Sequence, residues 1–300
     1  MKKIYLILLN QNYMRSLKYF LQFIPIFLLF CIYKILGLKI STKLSGKIFV
    51  FFGPFFRSKN IIISNLSKAF PNLSFKEKEI ILENMWFNYG KILAEYTFIK
   101  NFRESEKFSK KITIENQNIL EKIKNSSKPV VFVSGHFSNF ELMAMHIEKL
   151  GINLATVYRP LNNNFLNPIM ERIRIKYICK KQIKKGISGT KELLKNFKNG
   201  TSIALMIDQR VTEGIMCEFF GEMARTTTIP AQFVKKFDAN IVPVYIERTK
   251  KDDFKLKFYD LIEFNQKESI YSITLKLNKI LEKMIIQNPE QWIWTHNRWK

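Results

Sequence analysis

A chain of 300 residues, 47% of them hydrophobic, is too apolar for a disordered chain and long enough for one large or two small domains. Its net charge of +24 favours anionic partners (nucleic acid, phospholipid headgroups, an acidic protein), although a chain rich in Lys, Asn and Ile can also reach that balance by composition alone. Cys31, Cys179 and Cys217 are scattered without a C-x-x-C, which argues against a disulfide framework or zinc site and fits a reducing compartment; no glycine-rich phosphate loop is present.

The N-terminus carries a small apolar patch, Ile4 to Leu9, and then Tyr19 to Tyr33, an uncharged stretch of fifteen residues between Lys18 and Lys34. As a helix that stretch spans about 22 Å, short of the roughly 30 Å hydrocarbon core of a bilayer. Extension to Leu38 with Lys34 snorkelling brings a full span within reach. A second patch, Ile48 to Phe56, is interrupted by Gly53 and Pro54. Membrane attachment is expected over residues 1–56; whether the helix spans or lies in the interface is open, and basic flanks on both sides leave orientation undecided. No small-residue cleavage site follows, so a signal peptide is the weaker reading.

From Ile61 to Lys100 the pattern is helical, broken at Pro71-Asn72 and restarted by a capping box, Ser74 with Glu77; Ile80, Ile81, Met85, Tyr89, Ile92 and Leu93 recur near helical period and read as scaffold. A short strand at Lys111 to Ile114 and a helix from Asn116 to Lys124 follow. The run Val130 to Val133 is β-branched and apolar, as in a buried strand; Gly135 ends it and a helix begins near Ser138. His136 therefore sits on a strand-to-helix turn, where an imidazole can take a proton near neutral pH and a neighbouring carboxylate such as Glu141 can fix its tautomer. Ser138 and Glu141 also have capping-box spacing, which accounts for the carboxylate without catalysis.

Strands are expected at Asn153 to Arg159, Ser202 to Ile207 and Ile241 to Ile246, with Phe254 to Phe258 pairing with the last; helices are expected at Leu166 to Ile178, Thr190 to Asn199 and Ser269 to Ile286. The basic cluster Arg172, Arg174, Lys176, Lys180, Lys181, Lys184 and Lys185 is either a solvated face or a dock for an acidic protein or phosphate. Asp208-Gln209-Arg210 sits at a strand end, and PEQWIWTHNRWK closes the chain. Strands alternating with helices give an α/β layered fold: a sheet flanked by helices, preceded by the N-terminal hydrophobic helix and a helical segment, with residues 57–300 as the α/β domain.

Five motifs now stand in order: Gly135-His136-Phe137-Ser138-Asn139-Phe140-Glu141, Arg159-Pro160, Asp208-Gln209, Phe219 to Thr226, and Pro289 to Trp299. Together they resemble the lipid A biosynthesis lauroyl/myristoyl acyltransferase family, within the wider glycerolipid acyltransferase group marked by H-x-x-x-x-D/E, and the resemblance covers nearly the whole chain. The family's second Gly is Ser138 here, its Trp is Phe140 and the Pro before F-F-G is Glu218, which weakens any inference about substrate preference.

The resemblance implies transfer of a fatty acyl group from an acyl carrier protein thioester to a hydroxyl of a Kdo-bearing, phosphorylated lipid A precursor at the cytoplasmic side of a bacterial inner membrane. It implies no metal or bound cofactor and no nucleic acid. His136 is then the general base and Glu141 its orienting acid. Arg159 and backbone N–H groups at Ser138 and Asn139 are candidate oxyanion donors; Asn139 is equally a turn residue and Arg159 equally a lipid-phosphate ligand. Asp208, Gln209, Arg225 and Thr226 complete the expected substrate-binding set, Asp208 and Gln209 either lining the site or tying loops together. The tryptophan-rich tail serves the active site, the membrane interface or a structural cap. The rival readings are acylation of a lysophospholipid or a mannosylated inositol lipid by the same chemistry, and a membrane-tethered basic binding module in which His136 and Glu141 are structural.

Overall fold

The computed structural model describes residues 2–126 and 128–300, with side chains from Tyr13 onward, so the side chains of the patch Ile4 to Leu9 lie outside the described set. Helix α1 (Lys2–Phe56) is broken only at Gly37, whose φ of 73° and ψ of 167° are not helical. Tyr13 to Leu36 gives about 36 Å at 1.5 Å per residue, and α1 is long and apolar enough to cross a membrane, with a mean hydropathy of 2.1 over its most apolar stretch. Many of its large apolar side chains face outward, Phe27 being 47% and Ile35 84% exposed, whereas Tyr33 is fully buried. The expected interruption at Gly53 and Pro54 does not occur, because helix continues through both and Gly53 lies flat against the Trp86 indole.

Beyond Gly37, α1 packs on α3 (Phe75–Tyr96), which follows α2 (Lys59–Ala69). Ser74 and Glu77 close the expected capping box reciprocally at the start of α3. Ile80, expected on its buried face, is 51% exposed. Small residues set the α1–α3 separation: a Cβ on Gly90 would lie 2.4 Å from the Ser45 carbonyl oxygen, and one on Gly46 2.6 Å from the Phe87 ring. The Ser45 hydroxyl donates to the Gly90 carbonyl at 2.6 Å across this contact.

After the short helices α4 (Ile99–Glu104) and α5 (Glu106–Ser109), the chain alternates strand and helix: β1 (Ile112–Glu115), α6 (Asn118–Ser126), β2 (Val131–Ser134), α7 (Glu141–Lys149), β3 (Leu154–Tyr158) and α8 (Asn167–Ile173). A π-helical turn, Arg174–Ile178, extends α8 and leads to β4 (Lys181–Lys184), α9 (Ile187–Lys198) and β5 (Ser202–Met206). The hairpin β6 (Ile215–Phe219) and β7 (Glu222–Thr226) precedes α10 (Ile229–Phe237), β8 (Ile241–Arg248), β9 (Phe254–Phe258) and α11 (Ile270–Gln287). Seven strands form one sheet in the order β1-β9-β8-β2-β5-β3-β4, in which only the β8–β9 pair is antiparallel. The fold is thus α/β, a mixed sheet flanked by helices behind a long apolar N-terminal helix.

Every strand expected from sequence forms. The unforeseen β4 lies inside the lysine cluster, because an edge strand tolerates charges that keep its open side solvated. The β6–β7 hairpin holds F-F-G, with Phe220 and Gly221 both at positive φ in its two-residue turn. All four residues of β2 are buried, as a central strand covered on both faces requires.

The glycine contact yields a stability prediction. Gly90→Ala must force α1 and α3 apart, so the unfolding midpoint of the purified full chain in detergent should fall by the equivalent of about 1–3 kcal/mol. An unchanged midpoint contradicts the close helix approach.

Candidate active site

Parallel pairing builds the site. Ser134, last residue of β2, stands opposite Met206, last residue of β5, an offset of 72 that carries two residues onward to His136 and Asp208. The Asp208 carboxylate accepts the His136 backbone N–H at 2.9 Å on Oδ2 and meets His136 Nδ1 at 2.8 Å on Oδ1. Gly135 permits this approach, since a Cβ there would lie 3.3 Å from Asp208 Cβ and 2.9 Å from the Phe137 ring. Ser138, where the resembling family has glycine, is held at φ 41° with its side chain fully buried.

Asp208 is 1% exposed, and Trp292 Nε1 donates to its Oδ2 at 2.8 Å. Burial alone would raise its pKa, but the His136 charge and hydrogen bonds, with the Trp292 donor, hold it down at about 2. For His136 burial pushes toward the neutral form; the Asp208 charge and hydrogen bond, helped by Glu141, outweigh it and raise the imidazole above its ordinary value. With Nδ1 committed to Asp208, Nε2 makes no hydrogen bond among the described residues, and the partly exposed ring borders a cavity of about 1020 Å³.

Glu141 is not the partner expected for His136. Its Oε1 accepts from Arg174 Nε at 2.9 Å and Nη2 at 2.7 Å and from the Tyr96 hydroxyl. Tyr96 is buried, which with the adjacent Glu141 carboxylate keeps its phenol protonated. Arg174 comes from the π-helical turn and faces the same cavity, with Nη1 unpartnered among the described residues. Sequence reading placed Arg174 only in a basic cluster; a helix that widens by one residue per turn is what turns it toward Glu141, and no residue pattern signals that. Nor does a capping box form at Ser138, because α7 begins only at Glu141 and Phe140 holds the N-cap position without a side-chain bond.

The remaining expected site residues divide. Arg159 and Gln209 line the cavity, Arg159 exposed and without a hydrogen bond among the described residues. Asn139 is fully buried and donates to Glu95 Oε2 at 2.9 Å, fixing the turn from behind. The Ser138 N–H is spent on the Gln291 carbonyl at 2.8 Å, so it is no free oxyanion donor. Thr226 is 1% exposed and receives Arg298 Nη2 at 2.7 Å, while the Arg225 guanidinium, itself outside the cavity lining, donates to the carbonyl of the lining residue Thr212 at 3.2 Å. Asp208, Asn139 and Thr226 therefore support the site rather than reach a bound molecule. The tail is not an exposed membrane belt, since Trp292 and Trp294 are buried.

The cavity is cationic. Arg57, Arg159, Arg174, Lys185, Arg210 and Lys300 line it, against one lining carboxylate among the described residues, Glu141, which Arg174 already pairs. Part of its wall is apolar, with Met143, Ala144 and Ile147 from α7 and Phe132, Ala204 and Met206 from the sheet.

Comparison of the sequence with known proteins shows a family. Three relatives illustrate the similarity. A lipid A biosynthesis palmitoleoyltransferase of Escherichia coli K12 is 25% identical over 252 residues, covering 81% of this chain and 79% of the relative. A lipid A biosynthesis lauroyltransferase of the same organism is 24% identical over 254 residues, covering 81% and 79%. Lipid A biosynthesis acyltransferase 2 of Shigella flexneri is 24% identical over 241 residues, covering 77% and 74%. Residues 10–300 match the family described as bacterial lipid A biosynthesis acyltransferase, and the chain belongs to that family of acyltransferase enzymes.

Proposed function

We propose that the protein transfers a fatty acyl chain from an acyl carrier protein thioester to a hydroxyl of a Kdo-bearing lipid A precursor, with His136 as general base held by Asp208. The observation that carries this reading is the 2.8 Å contact of His136 Nδ1 with buried Asp208, leaving Nε2 toward a large cavity. The acceptor hydroxyl gives its proton to Nε2 as its oxygen attacks the thioester carbonyl. The tetrahedral intermediate collapses with cleavage of the C–S bond, and the imidazolium returns the proton to the departing thiolate. Arg174, locked by Glu141 and Tyr96, supplies positive charge toward the developing oxyanion. Glu141 thus acts on the reaction chiefly through Arg174.

The apolar wall suits the acyl chain and the cationic rim suits a phosphorylated acceptor and an acidic donor protein. Residues 1–56 form the membrane-attaching part and residues 57–300 the catalytic part, at the cytoplasmic face of the inner membrane. Support for that arrangement comes from Tyr19, whose carbonyl accepts Asn163 Nδ2 at 2.8 Å, and from Phe20, which packs on Phe165 with ring centroids 5.4 Å apart. These contacts set the apolar helix beside Leu161 and Leu166 of the cavity rim. Anionic lipid then enters the cavity without leaving the membrane surface.

Two predictions test the reading. His136→Ala should lower turnover by roughly 10²- to 10⁴-fold in an assay with acyl carrier protein thioesters read by mass spectrometry. The wild-type rate should fall as pH drops through the raised His136 pKa, since only the neutral ring accepts a proton. Asp208→Asn removes the charge that raises it, so the acid limb of kcat/KM should move to lower pH while the maximum falls; Glu141→Gln should move that limb less. Near wild-type turnover in His136→Ala, or an unmoved limb in Asp208→Asn, contradicts the dyad. Separately, Arg159→Ala should raise KM for the phosphorylated acceptor about tenfold, the worth of one charge-assisted contact, with Arg159→Lys intermediate. Equal, undiminished activity in both removes Arg159 from the site.

A further inference from the structure

Asp208 has two oxygens, and the chain gives each a defined task. His136 Nδ1 lies 2.8 Å from Oδ1 and 3.1 Å from Oδ2, and Oδ2 also takes the His136 backbone N–H at 2.9 Å and the Trp292 indole N–H at 2.8 Å. Trp292 is 2% exposed, and the tail around it is tied to the scaffold at several points. It forms an antiparallel bridge with Phe137, next to His136, and its ring meets Trp294 edge-on with centroids 4.5 Å apart. The neighbouring Gln291 carbonyl takes the Ser138 N–H, and the Gln291 side chain exchanges two hydrogen bonds with the Arg248 backbone at 2.6 and 2.9 Å. Asn65 of α2 holds the carbonyls of Trp294 and His296 at 2.9 and 2.8 Å. The segment 288–299 is therefore a strap over the back of the catalytic turn, and Trp292 is where it touches the carboxylate.

We propose that Trp292 is a positioning residue for acyl transfer, its indole N–H fixing the Asp208 carboxylate so that Oδ1 makes the shorter contact with the imidazole. This rests on His136 acting as the base. A carboxylate held by one donor edge could rotate; with the backbone and indole N–H groups both on Oδ2, Oδ1 is left the shorter contact to Nδ1 and the carboxylate plane is set. Donation from the indole also draws charge from the carboxylate. Trp292 thus restrains how tightly Asp208 holds a proton on His136, keeping the ring basic enough to accept one and acidic enough to return it to the thiolate. Nothing in this role needs contact with substrate, and Trp292 is absent from the cavity lining.

The test is Trp292→Phe, which keeps an aromatic ring and deletes one N–H. A lost charge-assisted hydrogen bond predicts a kcat lower by about 10- to 100-fold with KM nearly unchanged. The acid limb of kcat/KM should move to higher pH, because a less stabilised Asp208 charge holds the imidazole proton more strongly. That direction is opposite to the shift expected for Asp208→Asn, so the two effects cannot be confused. A packing role alone lowers the unfolding midpoint and active fraction and leaves the limb in place, and that result overturns the proposal. Should Trp292→Phe fail to fold, genetic incorporation of 3-benzothienylalanine at this position replaces the N–H by sulfur at nearly constant shape, and the same two outcomes decide. His136→Ala assayed in parallel separates the failures: persistent turnover there sinks the base assignment itself. An inactive His136→Ala beside an unshifted Trp292 variant sinks only the positioning role.

Discussion

The parallel register between β2 and β5 is the constraint on which the site depends. Residues at the carboxyl ends of neighbouring parallel strands run on into adjacent loops, and the 72-residue offset of this pair sets the His136 backbone and ring against one carboxylate. A slip of one residue would turn both side chains to opposite faces. The ladder is secured by burial, since Val131, Phe132, Ile203 and Ile241 are each no more than 2% exposed. The geometry of the His136–Asp208 pair is therefore fixed by the same apolar packing that stabilises the sheet. A carboxylate as buried as Asp208 is tolerated because both of its oxygens accept hydrogen bonds, including one from the indole supplied by the tail.

A second buried charge set joins the site to the helices that carry the long apolar segment. Glu95, near the end of α3, pairs with Arg248 at the end of β8, and both are almost fully enclosed. Arg248 Nε also donates to Asn88 Oδ1 at 3.1 Å, and Asn139 in the catalytic turn donates to Glu95. One carboxylate thus anchors α3, β8 and the turn that carries His136. Beyond Gly37, α1 lies on α3 through Gly46, Gly53 and Gly90, so that part of the apolar helix packs on the helix that holds Glu95. Removing one member of such a set leaves an uncompensated charge in a dry interior, which is far costlier than replacing the whole set with apolar residues.

Much of this was legible in the sequence where local pattern decides. The buried strands announce themselves as β-branched runs, the Ser74–Glu77 box marks the start of α3, and the ordered motifs from Gly135 to Trp299 carry the family. What stayed hidden depends on register and on three-dimensional neighbours. The spacing of His136 and Glu141 suggests a pair, yet one residue ends a strand and the other starts a helix, and their side chains diverge to Asp208 and Arg174. Asp208, at a strand end, reads equally as lining the site or tying loops together; only the β2–β5 pairing sets it against His136. Arg174 was hidden among lysines, and Trp292 in a tail equally consistent with a cap. The interruption expected at Gly53 and Pro54 failed because the packed Trp86 surface rewards a glycine there and Pro54 falls close to the helix end.

The central claim is that His136 carries its proton on Nδ1 toward Asp208 and offers Nε2 as the base. Nitrogen-15 NMR of histidine-labelled protein in detergent reads this directly, because the chain has only three histidines. The other two are held down by burial, His146 to about 4 and His296 below its ordinary value, so neither obscures a group titrating above the usual histidine range. The account predicts one histidine titrating above about 6.5, lost in His136→Ala, whose neutral form bears hydrogen on Nδ1. A neutral form protonated on Nε2, or a His136 that titrates below that value, would contradict it.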